Sequence, residues 1–296
     1  MAKPKSQHSA AQCRATSSAT RLGLRMMQRS AAVTGMGLQY VMKEARVFDV
    51  WDRLSTLLSS RDVRRHVRVV CKGGTALNKI FLGELQRFSE DLDFDAFFSD
   101  AGLSRSQKIA FLQEKVMSAV STAYEVDEPR LMRQVVRFNC SFINEMGKSD
   151  SLLAEFNIET PLVGKIIRAT ATSSILRLPS ATVLVYSFHT LVAKKLKTFY
   201  ERESGKDIYD IYRSFEKCSD SDMRQVVSML KEVLQVEGIA YEGFVSSMYA
   251  ALSDGSRLWK VHASTNPYIP RSMRIDWGKA GREIRDRIMP LLSPVQ

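Results

Sequence analysis

Between residues 67 and 94 the chain leaves few options for its local geometry. A short, mostly apolar run, Val67 to Cys71, reads as a strand, and Lys72-Gly73-Gly74-Thr75 breaks it. Ala76 to Leu82 follows as a short helix. Phe88 to Phe94 then alternates apolar and polar residues, as a half-buried strand does. A strand, a glycine turn, a helix and an acidic strand in that order predict an α/β core.

Asp91 and Asp93 lie two apart on the second strand, so their side chains share a face, while Leu92 and Phe94 anchor the other. Two such carboxylates can converge on cations roughly 3.5–4 Å apart. Magnesium suits them, because it takes one or two carboxylates together with phosphate oxygens. Taken alone, the acidic pair also reads as a solvated strand end. The preceding glycines change its context, since they let backbone approach a ligand closely. Free N–H groups at a helix start attract phosphate. The Thr75 hydroxyl then either donates to a phosphate or caps the helix.

Elsewhere the pattern is alternately helical and extended. Residues 37–59 read as an amphipathic helix, followed by a polar turn, Arg61–Arg65. Another helix spans 104–123. Val135 to Phe142 and Leu152 to Glu159 form a hairpin through Gly147, and Ala181 to Tyr186 is a further strand. Phe188 to Tyr200 is helical, Gly205 marks a turn, and Asp207 to Phe215 opens the next helix. Helical patterns dominate after that, with Asp222 to Val236 the clearest, and a last helix is expected at about 279–289. The expected organisation is a basic, disordered tail at 1–36, an α/β core at 37–186 and a mainly helical domain at 187–296.

The formal charge of +11 is uneven. Residues 1–43 carry seven Lys and Arg and no acid, leaving +4 for the remainder. The tail reads as an unstructured start, a nucleic-acid arm or a targeting segment. The four cysteines and four histidines are scattered, which argues against zinc and against a disulfide framework, and fits a cytoplasmic setting. No apolar run approaches the roughly 20 residues that a bilayer span requires.

The stretch Lys72-Gly-Gly-Thr-Ala-Leu-Asn … Arg87-Phe-Ser-Glu-Asp-Leu-Asp-Phe94 resembles the AbiEii/AbiGii-type nucleotidyltransferase toxins, which include the MenT toxins. A second stretch extends the likeness: Val183-Leu-Val-Tyr-Ser … Leu191-Val-Ala-Lys-Lys-Leu-Lys … Arg202 … Lys206-Asp-Ile-Tyr-Asp210. That family belongs to the DNA polymerase β-like superfamily. The resemblance implies a nucleotidyltransferase core with a mixed sheet flanked by helices, nucleoside triphosphate as substrate and Mg2+ as cofactor. Gly73, Gly74 and Thr75 would then hold the phosphates, and Asp91 and Asp93 the metal. A third carboxylate is expected on a neighbouring strand. Glu155 is favoured over Glu159, which lies nearer the strand end at Thr160-Pro161. Lys195, or its neighbour Lys194, would neutralise the triphosphate, and Asp210 would orient Lys195 or the substrate. Asp207 reads either as a helix cap or as part of the motif. Arg87 either contacts phosphate or pairs with Asp91 or Glu90. Lys206 stands where the family often has Arg, which loses a bidentate fork. The resemblance further implies the toxin of a type IV toxin–antitoxin or phage-defence pair, with a cognate antitoxin, and, as acceptor, the 3′ end of tRNA. A small molecule or a protein as acceptor, and a non-enzymatic RNA-binding role, are the competing readings.

Overall fold

Eight strands join in one mixed sheet in a computed structural model of the chain, which describes residues 23–176, 178, 181–255, 258 and 263–292. Helices α1 (Leu24–Thr34), α2 (Leu38–Leu58) and α3 (Arg61–His66) lead into β1 (Val67–Lys72). The glycine turn opens helix α4 (Gly73–Ala76), which continues as a π-helical segment, Leu77–Leu82. Strand β2 (Asp91–Phe98) follows, then α5 (Arg105–Val120) and strands β3 (Glu125–Val126), β4 (Arg130–Met132), β5 (Val135–Ile143), β6 (Ser149–Asn157), β7 (Ile166–Ala171) and β8 (Ala181–Tyr186). After β8 the regular elements are helical: α6 (Phe188–Arg202), α7 (Gly205–Glu216), α8 (Asp220–Val236), α9 (Tyr241–Ser253) and α10 (Trp277–Leu292).

The sheet order is β3-β5-β6-β2-β1-β8-β7, with β4 paired to β5. Strand β2 runs antiparallel to β1 and parallel to β6, so it lies deep in the sheet. From Val135 to Phe142 on β5 and from Ser151 to Asn157 on β6, buried and half-buried positions alternate, as in two-faced strands. Their buried side chains, Phe138 and Phe156, meet edge to face, and Phe156 stacks on Phe94 of β2. Local signals set the helix starts. Ser104 with Gln107 and Ser219 with Asp222 form capping boxes that open α5 and α8.

The mixed α/β fold with flanking helices agrees with the sequence reading. Four details differ. Arg61–His66, expected as a turn, is a helix, because the Ser60 side chain accepts from the Val63 N–H and caps it. Strand β2 begins at Asp91 rather than Phe88, so Arg87 precedes the strand. Gly205 is the first residue of α7. Within the tail expected to be disordered, residues 24–34 form α1, and Met27 is fully buried; residues 1–22 lie outside the described residues. One continuous apolar core runs from Met27 through the sheet to Leu292. Among the described residues no helix is long and apolar enough to cross a membrane.

Candidate active site

The glycine turn and the acidic strand face each other because β1 and β2 are register partners, with Lys72 opposite Asp93. Gly73 has φ +72°, a left-handed conformation that favours glycine, and a Cβ there would overlap the Asp93 carboxylate. A Cβ on Gly74 would come within 2.8 Å of Arg87 Nη2. The two glycines therefore allow β2 and the Arg87 loop to close on the turn. The Thr75 hydroxyl donates to the backbone carbonyl of Asp91, and the side chain is buried. Thr75 thus fastens the turn to the acidic strand, and its hydroxyl neither caps the helix nor faces the cleft.

Asp91 and Asp93 are half-buried on one face of β2. Among the described residues, neither carboxylate accepts a hydrogen bond or joins a salt bridge. Burial, reinforced by repulsion from Asp93 and Glu90, pushes the Asp91 carboxyl up to about 6. Burial raises Asp93 as well, with Glu155 adding to the rise and Lys72 and Lys195 opposing it. Glu155 pairs in register with Asp93 across the parallel β2–β6 ladder. Its carboxylate accepts from Arg137 Nε at 2.5 Å. Glu159 lies beyond the end of β6, exposed and paired with Arg105 at 3.2 Å, so it does not share the strand face of Glu155. Among the described residues no three His, Cys, Asp or Glu side chains form a ready metal cage.

Beneath the turn, a second set of acids is fully neutralised. Asp210, wholly buried on α7, accepts from Arg87 Nε at 2.9 Å and Nη2 at 2.7 Å. It also accepts from Asn78 Nδ2 at 2.8 Å, and Lys195 Nζ lies 3.1 Å away. Arg87 Nη1 donates to the Phe88 carbonyl at 2.8 Å. Arg87 is thus committed to Asp210, and pairs with neither Asp91 nor Glu90. Asp207 accepts from Lys195 at 2.9 Å and from Arg202 at 2.8 and 3.0 Å. Burial alone would raise Asp207, but these cations hold it down to about 2. Asp207 forms no helix cap; it fixes Lys195. Lys206 instead reaches Glu90 at 3.1 Å and lies over the Tyr268 ring at 3.9 Å, so Arg202 supplies the fork in this motif.

Two lobes of one cleft meet at these groups. The larger, about 540 Å³, is lined by lysines 72, 194, 195 and 197 and by Arg202. The other, about 380 Å³, is lined by Asp91, Glu155, Arg87, Arg137 and Lys206 among others. Gly74, Asp93, Lys195 and Arg202 border both.

Sequence reasoning assigned no role to Asn78 or Asp95. Asn78 bridges the Gly74 carbonyl (2.9 Å), Asp210 and the Arg87 N–H (2.8 Å), tying turn, loop and α7 together. Asp95, fully buried, takes Lys72 and the Tyr186 hydroxyl (2.6 Å), with Lys194 at 3.6 Å. The alternation 91, 93, 95 was the available signal for Asp95. Lys194 is accordingly drawn to Asp95, while Lys195 is the lysine held over Asp207 and Asp210.

Among solved structures, the nucleotidyltransferase toxin MenT4 of Mycobacterium tuberculosis H37Rv is similar to this chain, with a TM-score of 0.64 and 20% identity over 91% of this chain and 90% of that one. CdnC of E. coli MS115-1, solved with ATP, overlaps 78% of this chain and 71% of its own at 13% identity and a TM-score of 0.30, too distant to carry an argument. No curated protein matches the sequence. Residues 57–285 match the family described as Nucleotidyl transferase AbiEii toxin, Type IV TA system. That span holds the glycine turn, the acidic strand and both neutralised aspartates, and the chain belongs to the AbiEii family of nucleotidyltransferase toxins from type IV toxin–antitoxin systems.

Proposed function

We propose that this toxin transfers a nucleoside monophosphate from a nucleoside triphosphate to the 3′ hydroxyl of tRNA in the cytoplasm, with magnesium at Asp91 and Asp93, and that a cognate antitoxin restrains it. One observation carries the reading: two neighbouring carboxylates without a salt bridge face a cleft whose other wall is rich in lysine. Hard oxygen donors beside a space that phosphate can enter fit magnesium, which completes its coordination with phosphate oxygens and water. Glu155, opposite Asp93, is the nearest candidate for a third carboxylate once Arg137 releases it. Bound there, the ion would offset phosphate charge and ease deprotonation of the attacking hydroxyl.

The protein's own groups set the geometry. Gly73 and Gly74 leave their turn bare of side chains, so the triphosphate can lie against backbone. Thr75 fixes the spacing between that turn and β2. Lys195 borders both lobes and offsets the charge that builds on the departing pyrophosphate. Asp210 and Arg87 act one step back, by holding Lys195 and the loop before β2. The lysine-lined lobe takes the triphosphate and the second lobe the acceptor. The acceptor hydroxyl gives up its proton to solvent, and its oxygen bonds to the α-phosphorus as the bond from that phosphorus to the bridging oxygen breaks and pyrophosphate leaves.

The test is transfer of α-³²P label from each of the four nucleoside triphosphates to total RNA and to purified tRNA. Label in tRNA that disappears with EDTA, returns with magnesium and is absent from Asp93→Ala supports the reading. Label found only on protein or on small molecules overturns the acceptor assignment.

A further inference from the structure

The register of the sheet places five charged residues in one row across five strands. Lys72 on β1 pairs with Asp93 on β2, Asp93 with Glu155 on β6, Glu155 with Arg137 on β5, and Arg137 with Arg130 on β4. The row starts at the candidate catalytic carboxylates and ends on two arginines. With neighbouring strands about 4.8 Å apart, Arg137 lies about 10 Å from Asp93 and Arg130 about 15 Å.

The face carrying this row is open. Arg137, Asn139 and Ser141 of β5 and Ser151, Glu155 and Asn157 of β6 are all half-buried, interrupted by the apolar Val135 and Leu153, whereas the opposite face holds fully buried Phe138, Cys140, Ala154 and Phe156. A polar sheet face continuous with the second lobe is a platform for a polar chain. The hairpin at its edge is basic: Arg130 and Arg133 are exposed and, among the described residues, form no ion pair. Arg137 spends its Nε on Glu155, and among the described residues its two terminal amino groups make no hydrogen bond. Asp127 and Glu128 border the outer cleft that Arg130 and Arg137 line, and Asp127 already accepts from Asn139 at 2.9 Å. Those acids limit the anionic path to the arginine side.

We propose that Arg137, Arg130 and Arg133 hold the phosphates just upstream of the acceptor hydroxyl, so that the β4–β5 hairpin selects a single-stranded nucleic-acid end over a small molecule or a protein side chain. This rests on the transfer reaction proposed above. Phosphates at one to two nucleotide steps from the reacting centre meet guanidinium groups on that row. A small-molecule acceptor would end before reaching them.

The experiment compares wild type, Arg137→Gln and Arg130→Gln/Arg133→Gln, with Lys279→Gln/Arg282→Gln on α10 as a charge-matched control away from both lobes. Transfer to tRNA is measured across a salt series, together with anisotropy of a labelled single-stranded RNA oligonucleotide. The double variant avoids Glu155, so it stays informative if Arg137→Gln folds poorly. We expect KM for RNA to rise about tenfold and the slope of log K against log salt to shrink by about 1.4 in the hairpin double variant, at about 0.7 per phosphate contact on a single strand. KM for the triphosphate and the control should not change. If wild type labels tRNA but the hairpin variants keep its KM and slope, this inference falls and the transfer reaction stands. If wild type labels no nucleic acid, both fall together.

Discussion

Two pairs of aspartates lie on either side of the same glycine turn and differ in who balances them. Asp207 and Asp210 are wholly buried, and every oxygen is answered by Lys195, Arg87, Arg202 or Asn78. Asp91 and Asp93 are less buried, yet among the described residues they carry no salt bridge. The carboxyl of Asp207 is held down to about 2, while that of Asp91 is pushed up to about 6. The first pair is scaffold, its charge satisfied from within the chain. The second has no such partner among the described residues, and in the reaction proposed above it would be left for a bound cation. On that reading, acidic residues alone do not mark the reactive centre; the want of a direct ion pair, with lysines only at a distance, does.

The contrast is broken most sharply by removing one acid from each side. Asp93→Ala should lower transfer at least about 10³-fold, the scale of a lost electrostatic stabiliser in a catalytic site, while the protein still melts cooperatively. A melt that collapses with the activity would move Asp93 into the scaffold. Asp210→Ala should do the reverse in emphasis. It leaves Arg87 and Lys195 buried without their shared partner and should cost about 3–5 kcal/mol of stability, read from urea denaturation. A loss below about 1 kcal/mol would show that Asp210 is not the anchor its contacts suggest.

The smallest effect is the pH dependence. In the metal-free protein the folded state holds the Asp91 proton more tightly than the unfolded chain does. Stability should therefore fall as pH rises from about 4 to about 6, by up to about 3 kcal/mol. Asp91→Asn should flatten this limb and leave the metal-free variant the more stable at pH 7. Asp207 has the opposite sign: its contribution is complete above about pH 4 and is lost as pH falls towards 2. Thermal melts from pH 3 to 8 separate the two limbs. A difference between wild type and Asp91→Asn that stays constant from pH 4 to 6 would contradict the assignment at Asp91.

How far the sequence revealed this arrangement depended on the range of the signal. Periodicity of two placed the acids on β2 and the two-faced strands β5 and β6, because each is decided within a strand. The start of β2 was placed three residues early, since Phe88 and Ser89 match the parity of the strand, although Glu90 breaks the apolar set and Arg87 and Ser89 turn inward towards Gly74. The roles of Thr75, Arg87 and Asn78 were not legible for a different reason. Their partners, a backbone carbonyl at Asp91 and a carboxylate at Asp210, are fixed by tertiary packing that no local pattern encodes. Glu155 was distinguished from Glu159 by the end of β6, which the Thr160-Pro161 step only approximately marks.

The anchoring of Lys195 also sets an order for synthesis. The aspartates of β2 leave the ribosome early, whereas α7 emerges much later and brings the two acids that orient the lysine. A nascent or truncated chain ending before α7 lacks those anchors. With the role proposed above for Lys195, such incomplete copies of the toxin would stay inactive until Asp210 has been added.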